Sequence, residues 1–462
     1  MALVFEHIIS EGLGDLSYLI GDDETGLAAV VDPRADADVY LQLALQHRLA
    51  ITYVLQTHVH EDFLSGAVGL AKRAGGALLL MRHVAETRYE YAHKEIHDGH
   101  RLTLGSVTLT ARATPGHTPE HTAYVLSETK RVEEPYAVLT GGSLLINAAG
   151  RCDLLGPEAA QRLVVDQFKT LYSFFLGLPD HVIIHPTHAH GSPCGVAIGD
   201  RLSSAIGYER RHNAYLQHAD LASFSAFALG NLSAKPSYYA RLKEANAAGD
   251  AEIMLPAVPA LVVAEFAKAL SADACNLVDT RSLLGFAGGH IAGGLNIGGA
   301  GELSMWAGWM LDVDRPILLV LEHDADLAKI LELFMRTGFK RFAGYLVGGM
   351  KAWDNAGMPV EFMKPVPIHE INGQTGTCQI IDVRAEDEWK KGHIPGAKHI
   401  FLPELSAKMA QLDKTRPVAT YCATGYRASI AASLLKANGF HDVGCVPGSW
   451  QAWTQAGFPV EA

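Results

Sequence analysis

Two short segments of the chain bring together residue types that do chemistry. The first, Tyr421-Cys-Ala-Thr-Gly-Tyr-Arg427, sets one thiol between an apolar run at 418–421 and a helix-forming stretch at 426–438. A thiol there can be cradled by successive backbone N–H groups at a helix N-terminus, which lowers thiol pKa and stabilises anionic sulfur. Ala423, Thr424, Gly425 and Tyr426 form the loop, with Gly425 permitting the turn without a Cβ. Arg427 adds a fixed positive charge suited to an oxyanion. The second segment, His58-Val-His60-Glu-Asp62, follows another apolar run. Two imidazoles at i and i+2 can reach one metal ion from a loop, and Asp62 adds a carboxylate. Histidines recur downstream in TPGHTPEH (114–121) and HPTHAHGSPCG (185–195), which hold His117, His188 and, six residues later, Cys194. The chain has 22 histidines, more than packing needs, and neutral imidazole is the commonest metal ligand.

The elements that must position the thiol are repeated. NLVDTRSLLGFAGGHIAGGLNI (276–297) lies over QIIDVRAEDEWKKGHIPGAKHI (379–400). RPILLVLEHDADLAKIL (315–331) lies over RPVATYCATGYRASIAA (416–432), and GGMKAWDNAGMPVE (348–361) over GSWQAWTQAGFPVE (448–461). A period of about 100 residues means two domain copies, because solenoid repeats are much shorter. Each copy alternates short apolar strands with helical stretches, which predicts a parallel α/β sheet. In the second copy Gly439 sits where a helix cap belongs. Residues 363–368 read as a Pro-containing linker, and the first copy begins near Ala257, after a polar, Ala-rich helical stretch at 243–250.

Length and composition bound what remains. At roughly 150 residues per domain, 462 residues suggest three domains. With 48% hydrophobic and 19% charged residues the chain can bury cores and is not generally disordered. A net charge of −12 argues against an electrostatic grip on nucleic acid or an anionic membrane. The N-terminus has no basic region followed by an apolar run, and no uncharged apolar stretch is long enough to span a bilayer. Six cysteines scattered along the chain read as a reduced cytoplasmic protein rather than a disulfide scaffold. Self-association is compatible with this composition.

Cys-x-x-Gly-x-Arg between strand and helix resembles the active-site loop of the rhodanese family, and the DVR, GHIPGA and PGSW segments resemble its framework. The resemblance implies that Cys422 carries a persulfide and that Arg427 belongs to the oxyanion-binding loop, with residues 423–426 as the substrate-binding turn. In the first copy Leu321 takes the place of Cys422 and Asp326 that of Arg427, so that copy is expected to be inactive and to serve packing or docking. His290 and His393 are expected to be structural parts of the repeat. His93, His97 and His100 are expected to be solvated.

The N-terminal half resembles the metallo-β-lactamase fold family, whose signature is His-x-His-x-Asp-His followed by later His, Asp and His ligands. TPGHTPEH, GRCDL (150–154), GSPCG and IGYERRHN (206–213) are more narrowly similar to the persulfide dioxygenase branch found fused to rhodanese domains. That branch holds one iron with two His and an Asp. Here His58 and His117 match the histidines, Gly142 stands where the carboxylate is expected, and Phe63 replaces the last His of the signature. The expectation is therefore no metal. The alternatives are a single Fe or Zn on His58, His60 and His117, helped by Asp62 and His188, or a carboxylate repositioned from Glu61 or Asp62. Cys194 is expected to be a packed cysteine, with a persulfide-handling role as its alternative.

The expected architecture is an α/β multidomain chain: a metallo-β-lactamase αββα sandwich (1–245), an inactive rhodanese-like domain (257–362) and a rhodanese domain with the active cysteine (366–462), the last two built on parallel sheets. The expected function is a sulfurtransferase that moves sulfane sulfur from thiosulfate or a thiol persulfide such as glutathione persulfide. The alternatives are a persulfide dioxygenase or metal-dependent hydrolase with a mononuclear site, or a non-catalytic N-terminal binding platform.

Overall fold

The structure, a computed structural model, describes residues 3–75, 77–85, 87, 89–128, 134–249, 254–272, 274–373 and 376–461. The terminal residues of the expected domains, Met1 and Ala462, and Asp250 of the polar stretch lie outside them. The chain forms two compact units, Met1–Met254 with Met335–Gly338, and Leu255–Phe334 with Phe339–Ala462.

The first unit holds two six-stranded sheets. One runs in chain order through β1 (Leu3–Ser10), β2 (Asp15–Asp22), β3 (Leu27–Val31), β4 (Ala50–Leu55), β5 (Leu78–Met81) and β6 (Lys94–Glu95). The other contains β7 (Arg101–Leu104), β8 (Val107–Ala113), β9 (Thr122–Glu128) and β10 (Pro135–Gly141). A small hairpin of β11 (Leu144–Leu145) and β12 (Ala148–Ala149) follows, and β13 (Ile183–Pro186) and β14 (Ser204–Ala205) complete the second sheet in the order β14-β13-β10-β9-β8-β7. Side chains of a strand alternate between faces. Leu16, Tyr18 and Ile20 of β2 accordingly pack between the sheets with Leu109, Tyr124 and Leu139, whereas Leu19 faces the other way. The outer face of the first sheet is covered by the helices Asp38–Gln46 and Ala67–Arg73, and that of the second by Pro157–Lys169 and Leu221–Gly230. These four layers are an αββα sandwich.

The second unit contains two five-stranded sheets of the same plan. The first has β15 (Ala260–Leu261), β16 (Asn276–Asp279), β17 (Leu295–Asn296), β18 (Ile317–Val320) and β19 (Phe342–Leu346), in the order β15-β19-β18-β16-β17. The second has β20 (Lys364–Pro365), β21 (Gln379–Asp382), β22 (Lys398–His399), β23 (Val418–Tyr421) and β24 (Val443–Cys445), in the order β20-β24-β23-β21-β22. All strand pairs in both are parallel. The stretch that reads as a linker supplies an edge strand: Lys364 and Pro365 pair with Gly444 and Cys445. An edge is where a sheet tolerates proline, which has no N–H to donate.

The repeated residues are the joints of this plan. Arg281 clamps Asp279 and donates to the Gly289 carbonyl at 2.7 Å, and Arg384 clamps Asp382 and donates to the Gly392 carbonyl at 2.8 Å. His290 stacks on Phe286 and His393 on Trp389, each with Nδ1 at a backbone carbonyl. The two copies share one apolar core, in which Leu303, Trp306 and Ile330 pack with Leu405, Ile430 and Leu435. A buried polar cluster sits within it: Ser429 Oγ donates to Asn296 Oδ1, and Asn296 N–H donates to Ser433 Oγ at 3.0 Å.

Candidate functional sites: a histidine pocket and a cysteine loop

Loops at the ends of β3, β4, β10 and β13, and the loop entering β9, meet at one edge of the sandwich. Backbone bonds join them: Thr122 N–H donates to the Thr57 carbonyl at 2.8 Å, Thr187 to Gly141 at 2.9 Å and Leu16 to Thr187 at 2.7 Å. Asp32, directly after β3, is the polar anchor. Its carboxylate accepts Thr57 N–H and Thr57 Oγ1, both at 2.7 Å, and Thr187 Oγ1 at 2.5 Å. Burial pushes the Asp32 carboxyl up, but nearby His60 and these donors outweigh that and hold it below its ordinary value.

Into this frame project His58, His117 and His188, each at most 2% exposed. Their rings form a triangle with centroid separations of 4.8, 5.4 and 5.4 Å. One ligand atom from each lies within 4.8 Å of the others. The Nδ1 atoms are held: His58 by Thr57 Oγ1 at 2.8 Å, His117 by the Arg151 carbonyl at 2.8 Å, and His188 by Asp15 Oδ1 at 3.0 Å with Asp62 Oδ2 at 2.9 Å. All three Nε2 atoms are buried without a hydrogen-bond partner. His60, Asp62 and His188 form a second possible set. In it, however, His60 packs against Phe63 at a tilt, with ring centroids 4.3 Å apart, and its Nε2 faces Asp32 Oδ1 at 3.0 Å, out of line for a hydrogen bond. The described residues thus contain a His-rich cluster able to hold a metal ion. His188, expected only as a helper, stands in it beside His58 and His117, whereas His60 leans on the Asp32 anchor.

Electrostatics divide the pocket. Burial pulls His117 down to about 3 and His58 well below its ordinary value, so both are neutral imidazoles. Burial also works against a proton on His188, but the Asp62 and Asp15 carboxylates overcome it and raise the group to about 10. Burial and the neighbouring Asp62 push Asp15 well up. The Cys194 thiol is pushed well up by burial and by Asp62, stays protonated, and lies 3.4 Å from both Asp62 Oδ2 and Tyr239 Oη. Glu61 pairs with Lys243. At Gly142 a Cβ would meet His117 Nε2 at 2.7 Å, so the imidazole occupies the space a side chain would need.

Several contributors are silent in the sequence. Asp15 reaches His188 across 173 residues and carries no local signal. Asn246 donates from Nδ2 to the His60 and Phe63 carbonyls, both at 2.8 Å, and accepts Ser65 N–H. It thereby ties the helix Tyr239–Ala248, which runs past the expected boundary at 245, to the His58–Asp62 loop. Asp32 had a readable signal: an aspartate ending an apolar strand, like Asp279 and Asp382. His97 and His100 are exposed.

The second site is the loop after β23. Cys422 is fully buried, and its Sγ accepts the Gly425 N–H at 3.1 Å. Gly425 has φ +118° and caps the helix Tyr426–Ala437, a conformation that glycine alone adopts cheaply. Ser449 Oγ accepts the Cys422 N–H at 3.1 Å. Tyr426 Oη donates to the Gly298 carbonyl of the first copy at 2.8 Å, and a Cβ on Gly425 would touch Leu283 of that copy at 3.4 Å. Arg427, expected at the oxyanion, has its terminal nitrogens on Glu388 at 2.6 and 2.8 Å. In the first copy Leu321 is buried, and the Asp324 carboxylate accepts the Gly348 N–H at 3.1 Å, so this loop supplies its own anion.

Taken together, the sandwich with its histidine edge is a metallo-β-lactamase fold, and the two parallel sheets of the second unit belong to rhodanese-like domains. The family model for the rhodanese-like domain matches residues 262–356 and 369–456. A solved metallo-β-lactamase from Staphylococcus aureus subsp. aureus COL superposes with a TM-score of 0.67 at 27% identity, covering 75% of this chain and all of that one. A probable metallo-hydrolase of Burkholderia pseudomallei is 28% identical over 237 residues, 44% of this chain and 76% of the relative. The mitochondrial persulfide dioxygenase ETHE1 of Homo sapiens is 28% identical over 173 residues, 37% of this chain. The chain spans 63% of that relative, just under two thirds of its length. Among the described residues no helix is long and apolar enough to cross a membrane.

Proposed function

We propose that the protein is a sulfurtransferase working through Cys422. The observation that carries this reading is the Cys422 sulfur at the head of a helix, accepting the Gly425 N–H at 3.1 Å. A donor of that kind stabilises sulfur most when it is anionic. The Cys422 thiolate attacks the outer sulfur of thiosulfate or a thiol persulfide. The S–S bond breaks, and sulfite or a thiolate leaves with the electron pair. An acceptor nucleophile then attacks the terminal sulfur of the Cys422 persulfide and releases the Cys422 thiolate, with no net oxidation. Arg427 acts as a positioning residue, holding the loop to Glu388 and setting positive charge beside it. Leu321 in the first copy can form no persulfide, and Asp324 repels an anionic donor there.

Under the same reading the N-terminal unit, related to persulfide dioxygenase, receives thiol persulfides but lacks the iron site of two His and one carboxylate, because Gly142 offers no side-chain donor. Cys422→Ser should abolish thiosulfate:cyanide transfer by the full chain while leaving its melting unchanged. Retained transfer overturns the proposal.

A further inference from the structure

Loss of the carboxylate at Gly142 does not leave the histidine pocket without a donor set. The hydrogen bonds fix the tautomers. Thr57 Oγ1 spends its one proton on Asp32 Oδ2 at 2.7 Å, so it accepts from His58 Nδ1–H and leaves His58 Nε2 with a lone pair. His117 Nδ1 faces a carbonyl, which only accepts, so His117 Nε2 is also a lone pair. His121 shows what a committed histidine looks like: its Nε2 accepts the Gly142 N–H at 2.9 Å, so its Nδ1–H donates to Thr114 Oγ1. His188 turns Nδ1 to two carboxylates and Nε2 into the pocket. Three buried nitrogens with no partner converge there. A buried polar atom left unsatisfied is costly, and native structures rarely keep several in one place.

We infer that His58, His117 and His188 bind one divalent transition-metal ion through their Nε2 atoms, with His188 supplying the third donor that Gly142 cannot. Imidazole donors suit Fe, Zn, Ni or Cu rather than Mg or Ca. The three Nδ1 contacts are the outer-shell bonds that orient metal-binding histidines, and the carboxylates behind His188 strengthen it as a donor. Binding the ion displaces the proton that Asp62 and Asp15 favour on His188, so the three ligands are neutral imidazoles and the counter-charge sits one shell out, on Asp62 and Asp15. The imidazole of His117 fills the space beside Gly142, so the glycine and the three-His arrangement belong together.

The test uses the full chain, stripped with chelator and titrated with Zn(II), Fe(II) and Co(II), with metal content read by elemental analysis. One ion per chain is expected, with a rise in melting temperature on loading and a visible Co(II) spectrum. His188→Ala should lose the stoichiometric ion, and Asp62→Asn should weaken binding about 10–100-fold, as outer-shell changes do. Cys422→Ser should bind metal normally, so failure here and failure of the sulfurtransferase reading are distinguishable. No binding by the wild-type chain, or unchanged binding by folded His188→Ala, overturns the inference. If His188→Ala does not fold, X-ray absorption of the loaded wild-type chain decides: three imidazole ligands support the site, and two or none overturn it.

Discussion

Substituting lysine for Arg427 separates holding the loop from binding the donor. The guanidinium makes two charge-assisted hydrogen bonds to Glu388, at 2.6 and 2.8 Å, from side chains 14% and 30% exposed. Lysine keeps the charge but is a single point donor without the planar fork, so one of the two bonds is lost. A hydrogen bond to a charged group is worth about 1.5–3 kcal/mol. Water reaching Glu388 reduces that, and about 1–2 kcal/mol remains. For a unit of this size each kcal/mol moves the melting temperature by roughly 2–4 °C, so Arg427→Lys should lower the transition of the C-terminal unit by about 2–8 °C. Because the Gly425 N–H and the Cys422 sulfur are untouched, kcat/KM for thiosulfate:cyanide transfer should fall by no more than about tenfold, or 1.4 kcal/mol. Differential scanning calorimetry and steady-state kinetics on the full chain measure both. Unchanged melting with a hundredfold or greater loss of kcat/KM would refute the reasoning and assign the guanidinium directly to the donor anion.

Two further outcomes are expected. Asn296→Ala strands the Ser429 hydroxyl and the Arg281 carbonyl in the shared core, and should cost the second unit about 2–4 kcal/mol in urea unfolding; a loss under 1 kcal/mol would mean the cluster repacks. The Asp22 carboxyl is opposed by burial but held down to about 2 by donors from Ser106, Thr25 and Glu24. A depressed carboxylate stabilises fully above its unfolded value near 3.8 and loses that contribution as pH falls toward 2. Asp22→Asn should therefore be less stable than wild type at neutral pH, with the difference shrinking between about pH 4 and 2. A gap independent of pH would contradict this.

The Cys422 loop was legible because everything it needs is contiguous. Strand, thiol, turn glycine and helix follow one another within residues 418–437, and the sulfur's donor is three residues away. The repeat was equally legible, since Asp279–Arg281 and Asp382–Arg384 make the same local clamps. The Arg427–Glu388 pair was less so, because Glu388 lies 39 residues upstream and only folding sets it opposite.

Sequence by itself determined the duplicated α/β plan, which copy has a thiol in the loop after its central strand, and that Gly142 contributes no carboxylate, while the sandwich was implied by family resemblance. The first three follow from periodicity and from which side chains exist. Tertiary structure alone decided which histidines converge. His58, His117 and His188 meet because Asp32, Arg151, Asp15 and Asp62, drawn from separate strands and loops, fix each Nδ1 or the loop beneath it. A histidine's identity is written in the chain, but the nitrogen it offers is set by whatever holds the other one, and those partners lie up to 173 residues away.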